Sequence, residues 1–134
     1  MKKKFSTLLT LLVLTFCTSI AYGQSAIHWF SFDGKVAGSN VSGSLTLYAG
    51  GGVGGQYGYS KYTRTNPNAV IDLRGSWRKT GSSTYALTLT EYGRGGHVSG
   101  TWNVTFNESS GKISGSMRNS KGKTYKVSCS CYWD

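Results

Sequence analysis

The sequence predicts an all-β domain: one antiparallel up-and-down meander of eight strands, closed into a small barrel. Three observations carry this prediction. The pentad apolar–x–Gly–Ser/Thr–apolar occurs four times, as Val41-Ser42-Gly43-Ser44-Leu45, Leu73-Arg74-Gly75-Ser76-Trp77, Val98-Ser99-Gly100-Thr101-Trp102 and Ile113-Ser114-Gly115-Ser116-Met117. Strand side chains alternate faces, so each pentad turns two large apolar residues and its glycine inward and its hydroxyl outward. The bare glycine leaves space for a bulky neighbour or lets the strand bend. Eight short segments, moreover, alternate apolar and polar residues and are separated by turn chemistry. Finally, no segment has the period of an amphipathic helix, and aromatics reach 13% of a chain with 19 glycines and one proline, too many for a chain unable to fold.

The segments follow in order. Ala26 to Phe32 alternates up to Asp33-Gly34, a strong hairpin signal. Val41 to Tyr48 holds the first pentad. The Gly-rich stretch Ala49 to Gly55 is expected to be a flexible connection before Gln56 to Tyr62, which the loop around Asn66-Pro67-Asn68 closes. Ala69 to Arg78 carries the second pentad and ends at Thr80-Gly81-Ser82-Ser83. Thr84 to Glu91, His97 to Phe106, Lys112 to Arg118 and Lys123 to Cys131 complete the set, divided by Gly93 to Gly96, Asn107 to Gly111 and Asn119 to Gly122. Closing the sheet removes its exposed edges, and at this strand number the interior is filled by side chains or holds one small ligand. Alternation sends Val41, Leu45, Leu47, Tyr57, Tyr59, Ile71, Leu73, Trp77, Tyr85, Leu87 and Leu89 inward. It adds Val98, Trp102, Val104, Phe106, Ile113, Met117, Tyr125, Val127 and Cys129. So bulky a set favours a filled core.

The first residues read as an address. Lys2, Lys3 and Lys4 precede an apolar run from Leu8 to Phe16, and Ser19-Ile20-Ala21-Tyr22-Gly23 supplies small residues for cleavage. This is the pattern of an export signal over residues 1–23, followed by one domain over residues 24–134. The run is shorter than the roughly 20 residues that span a bilayer, and the bulky Phe16 argues against lipidation at Cys17. A periplasmic or secreted monomer is expected. Losing three lysines with the signal leaves 12 Lys+Arg against 5 Asp+Glu, a formal charge of about +7. That balance favours encounter with polyanions such as anionic glycans, lipopolysaccharide or nucleic acid. Lys112, Arg118, Lys121, Lys123 and Lys126 form the clustered run; single charges on solvated faces are the competing arrangement.

The Gly-x-Trp elements Gly75-Ser76-Trp77 and Gly100-Thr101-Trp102, set in an eight-stranded meander, resemble calycin-type barrels, the avidins and lipocalins. Those families carry the element in the first strand, where it closes one end of the barrel; here the copies fall in the fourth and sixth strands. The run from Gly55 to Val127 is also similar to small exported barrels of Bacteroidetes-type bacteria. The resemblance implies the fold. It transfers no biotin- or retinoid-binding residue and no activity.

Glu91 continues the inward series Tyr85, Leu87, Leu89, which puts a carboxylate at the end of the apolar face. Such a group must be paired, hydrogen-bonded or protonated. It either orients a ligand at the barrel mouth or ties a strand end to amides, an arginine or a tyrosine hydroxyl. Glu91, Tyr57, Tyr59, Trp77 and Trp102 make up the candidate ligand site. Tyr57, Tyr59 and Tyr62, beside Lys61 and Arg64, suit a stacking platform for sugar or nucleic acid, or plain core packing. Cys129 and Cys131 share one face of the last strand. A spacing of two leaves their Cα atoms about 6.5–7 Å apart, the far edge of disulfide geometry. A strained bridge, free thiols, an intermolecular bridge and a metal pair completed by His28 or His97 all stay open.

The chain has no nucleophile elbow, no ligand spacing of a metal site and no phosphate-cradling loop before a helix. Neither catalysis nor a cofactor is expected. The sequence thus points to a non-catalytic binding module for a small ligand or protein partner at one mouth. The alternative is a basic protein that docks on polyanions.

Overall fold

The structure, a computed structural model, describes residues 25–93 and 96–133; the export signal expected over residues 1–23 lies outside them. Eight antiparallel strands follow one another around a closed barrel: β1 (Ala26–Val36), β2 (Ser39–Tyr48), β3 (Gly52–Tyr59), β4 (Ile71–Lys79), β5 (Thr84–Tyr92), β6 (Val98–Asn107), β7 (Lys112–Asn119) and β8 (Thr124–Tyr132). Each pairs with its successor, and β8 returns to β1 from Tyr132 opposite Ser31 to Val127 opposite Val36. One helical turn, α1 (Ser60–Thr63), follows β3. The meander expected from the alternating segments is therefore the observed fold.

Packing follows the pentads. Val41, Leu45, Leu73, Trp102, Ile113 and Met117 are buried and Trp77 partly so. At Gly43 an added Cβ would run into the Gln56 carbonyl oxygen and come within 2.7 Å of Tyr57 Cβ and 2.8 Å of Phe32 Cζ, so the β3 backbone and aromatic side chains of both flanking strands occupy the space a side chain would need. The interior is filled. Phe30, Phe32, Tyr57, Trp102 and Phe106 are each at most 2% exposed. Phe30 stacks on Phe106 at 4.6 Å, and Tyr57 meets Trp102 edge-on at 5.0 Å.

Three boundaries depart from expectation. β1 runs through Asp33-Gly34 to Val36, and the hairpin turns at Ala37-Gly38, with φ of 55° and 79°, the left-handed pair of a two-residue hairpin. Gly34 lies opposite Cys129, whose Cα would sit 2.5 Å from a Cβ at Gly34; this glycine serves close strand approach. The Gly-rich stretch turns at Gly51 (φ 99°) and gives Gly52 to Gly55 to β3. There Gly55 pairs with Leu45 on one side and Leu73 on the other. Starting earlier, β3 also ends earlier, at Tyr59, and the expected final strand residues coil into α1. Val98, expected inside, is 55% exposed. Glu91 faces Gly100 but Tyr92 faces Val98, so Ser99 is an extra, bulged residue and Val98 turns outward.

The β1–β2, β5–β6 and β7–β8 connections and the α1 segment share one end, the open mouth. The β2–β3, β4–β5 and β6–β7 turns share the other.

Candidate functional site

Glu91 sits one residue from the open-mouth end of β5 and is 4% exposed, the one buried charged residue among those described. Its donors come from one flanking strand, β6, and from β3, two strands away on the other side. Tyr57, facing inward from β3, donates its hydroxyl proton to Oε2 at 2.6 Å. Trp102, three residues past the β6 bulge, donates Nε1–H to the same oxygen at 2.6 Å. Ser99, the bulged residue itself, donates Oγ–H to Oε1 at 3.1 Å. Three donors replace the water that burial removes, which keeps a charged carboxylate tolerable inside. Burial and the adjacent carboxylate push the Tyr57 phenol far up, so its proton stays on oxygen as donor. Burial, more than its neighbours, also raises the Tyr59 phenol.

Above this carboxylate opens a cavity of about 370 Å³ lined by Ala37, Tyr57, Tyr59, Ile71, Glu91, Ser99, Met117, Asn119 and Tyr125. Of the five residues expected to form the site, Glu91, Tyr57 and Tyr59 meet here. Trp102, at 0% exposure, lies beneath and holds the acid without reaching the cavity. Trp77 does not belong. β4 enters at the mouth with Ile71, so Trp77, six residues on, lies about 20 Å away at the opposite end. There it donates Nε1–H to the Tyr48 carbonyl at 2.7 Å and meets Tyr85 edge-on. Alternation gave the right face but no height along the barrel.

Volume alone does not single out the mouth. A groove of about 390 Å³ runs over the outside of the barrel, lined in part by Ser42, Ser44, Gln56, Pro67, Val70 and Tyr132. The mouth differs in having a buried charge at its floor.

The opposite end is sealed. Tyr85 stacks on Phe106, and Trp133 covers Phe30 at 6.1 Å. Around them His28 Nε2 lies 3.1 Å from Glu108 Oε2 and 3.0 Å from the Tyr85 hydroxyl. Glu108 is fixed in its turn because Asn107 Oδ1 accepts the Ser109 and Ser110 amides and the Glu108 amide bonds the Ser83 carbonyl. Sequence reasoning missed this cluster. His28 shares its face with Phe30 and Phe32, but Glu108 joins it only through the turn.

Cys129 and Cys131 are free thiols. Burial pushes them up to about 11 and about 12, so both remain protonated at neutral pH. Among the described residues no three His, Cys, Asp or Glu side chains gather as metal ligands. Of the basic run, Arg118, Lys121, Lys123 and Lys126 surround the β7–β8 hairpin at the open mouth. Lys112, at the other end of β7, lies about 20 Å from Arg118. Asp72 points outward to Arg74 at 3.6 Å, away from Glu91.

Comparison with protein-family models, with curated proteins and with solved structures returned no match to the chain.

Proposed function

We propose that the protein is a non-catalytic, exported binding module that holds a small ligand in its open mouth above Glu91. One observation carries this reading: a charged group is buried at the floor of a cavity open to solvent, at one end of a barrel otherwise filled. A barrel that needed only stability would fill that end as it fills the other, with aromatic rings. The cavity, at about 370 Å³, falls in the range of small-molecule sites, roughly 300–1,000 Å³, and a few polar groups on apolar walls are what such sites use to orient a ligand. Export through residues 1–23, a single domain over residues 24–134 and kinship with calycin-type barrels belong to the same proposal. The fourth- and sixth-strand positions of Trp77 and Trp102 set this chain apart from that family's first-strand pattern.

Native mass spectrometry of the protein isolated from its own cells tests the reading. A retained small molecule, lost when Met117→Trp fills the mouth, is the expected result. An empty protein, with no mouth-dependent ligand recovered from a cell extract, would overturn it.

A second reading rests on a separate observation. Arg118, Lys121, Lys123 and Lys126 gather on one hairpin, and none has an acidic partner within ion-pair distance among the described residues. Docking on an anionic glycan or lipopolysaccharide through this hairpin predicts heparin retention that falls steeply with salt. It also predicts that Lys121→Gln with Lys126→Gln abolishes retention, while Lys112→Gln leaves it intact.

A further inference from the structure

The open mouth is layered by charge: an anionic floor, aromatic walls and a cationic rim. A carboxylate has about four acceptor positions. Tyr57 and Trp102 fill two on Glu91 Oε2, and Ser99 fills one on Oε1. The remaining position belongs to Oε1, the oxygen it shares with Ser99. Ser99 lines the cavity, whereas Trp102 does not. No cation pairs with Glu91 among the described residues. The phenol rings of Tyr59 and Tyr125 line the same cavity, and aromatic faces attract a cation.

At the rim the sign reverses. Lys123 Nζ lies 5.6 Å from the centroid of the Tyr125 ring. Across the mouth, Lys61 Nζ lies 4.8 Å from that of Tyr62, which meets Tyr59 edge-on at 6.4 Å. Lys123 therefore stands against the Tyr125 wall itself, and Lys61 one ring removed from the Tyr59 wall. The screening length of about 8 Å at physiological salt exceeds the single ring-to-ring step of 6.4 Å from Tyr62 to Tyr59, so both fields reach the walls of the mouth. A plain cation is drawn by the floor and repelled by the rim; a plain anion meets the reverse. A molecule carrying both charges is favoured twice.

We propose that the mouth binds a small zwitterion, its ammonium group on Glu91 Oε1 and between the tyrosines, its acidic group at Lys61 and Lys123. This assigns a ligand class to the mouth and rests on reading the mouth as a ligand site. Both N-methylated and primary ammonium zwitterions share the required chemistry, and the experiment separates them.

Calorimetric titration of the intact protein with glycine betaine, γ-aminobutyrate, tetramethylammonium and acetate is the test. One of the two zwitterions binds at least tenfold more tightly than tetramethylammonium and acetate, and which one identifies the ammonium type. Glu91→Gln, which keeps an acceptor for Tyr57 and Trp102, weakens that zwitterion about tenfold to a hundredfold, the range of a lost charge-assisted hydrogen bond. Lys61→Gln with Lys123→Gln weakens it severalfold without weakening tetramethylammonium. These lysines are surface groups, so this arm survives should Glu91→Gln fail to fold. Tetramethylammonium binding as tightly as either zwitterion, or an unchanged affinity in the lysine variant, overturns the proposal. Failure of all four compounds beside a retained neutral or anionic native ligand overturns the zwitterion and leaves the mouth as a site. Failure of all four with no native ligand overturns both.

Discussion

At Glu91 three donors converge on two oxygens, and the cost of removing the carboxylate follows from what it would leave behind. Glu91→Leu orphans the Tyr57 hydroxyl and the Trp102 Nε1–H in a site 4% exposed. Each orphaned buried donor costs about 1–3 kcal/mol, so the variant should lose about 2–6 kcal/mol in urea unfolding followed by tryptophan fluorescence. A variant as stable as the parent would mean that the carboxylate contributes nothing net to folding. Ala37 offers the opposite case. It is the one described non-glycine residue with positive φ, at 55°, a conformation that costs an L-residue about 1–2 kcal/mol. Ala37→Gly relieves this and should raise stability by about 1 kcal/mol; a fall in the urea midpoint would show that the Ala37 methyl, at the edge of the mouth, packs better than its backbone suffers.

Within the strands, the glycines repeat the same device at different places, and they were legible to different degrees. Gly43 was readable because apolar residues flank it at a spacing of two. Its substitution has a defined cost: Gly43→Ala drives a Cβ to 2.7 Å from Tyr57 Cβ and 2.8 Å from Phe32 Cζ. Overpacking of that kind should cost about 1–3 kcal/mol, against under about 0.5 kcal/mol for the outward neighbour Ser42→Ala. Equal midpoints for the two variants would remove the packing role assigned to the pentad glycine. Gly34 misled, because Asp-Gly reads as a turn unless one knows that β8 will press against it. Gly52 to Gly55 misled for another reason: with Val53 its one side chain, too little to show alternation, this stretch of β3 looks like a linker until both neighbouring strands bond to it. The bulge at Ser99 was hidden altogether. Nothing local marks it, yet it turns Val98 out and brings the Ser99 hydroxyl to Glu91. Register, the property that positions the third donor, is decided between strands.

Over the whole barrel, alternation sorted inside from outside with Val98 as the exception, since every strand contributes to one core, but it could not say which residues share a height. That is why the buried acid was found and Trp77 was assigned to the wrong end, while His28 and Glu108, 80 residues apart in sequence, went unpaired. Burial shared by the whole barrel also makes a global prediction. Unfolded thiols titrate near 9.0, whereas Cys129 and Cys131 in the fold are pushed up to about 11 and about 12. The folded chain therefore holds protons that the unfolded chain releases, and stability falls as pH rises wherever the native state binds more protons. The thiol contribution is complete below pH 9 and disappears progressively as pH climbs through about 11 and about 12. Tyr57 and Tyr59, raised by the same burial, push in the same direction from higher pH. The urea midpoint should hold steady from pH 7 to 9 and then decline, and Cys129→Val with Cys131→Val should make the decline shallower. Iodoacetamide labelling of Cys129, read in the Cys131→Val background because Cys131 is only partly buried, should track the unfolded fraction, since a thiol kept neutral inside the barrel must be exposed before it can react. Fast labelling at pH 8 under native conditions would mean that β8 leaves the barrel far more often than its two-sided pairing with β7 and β1 allows.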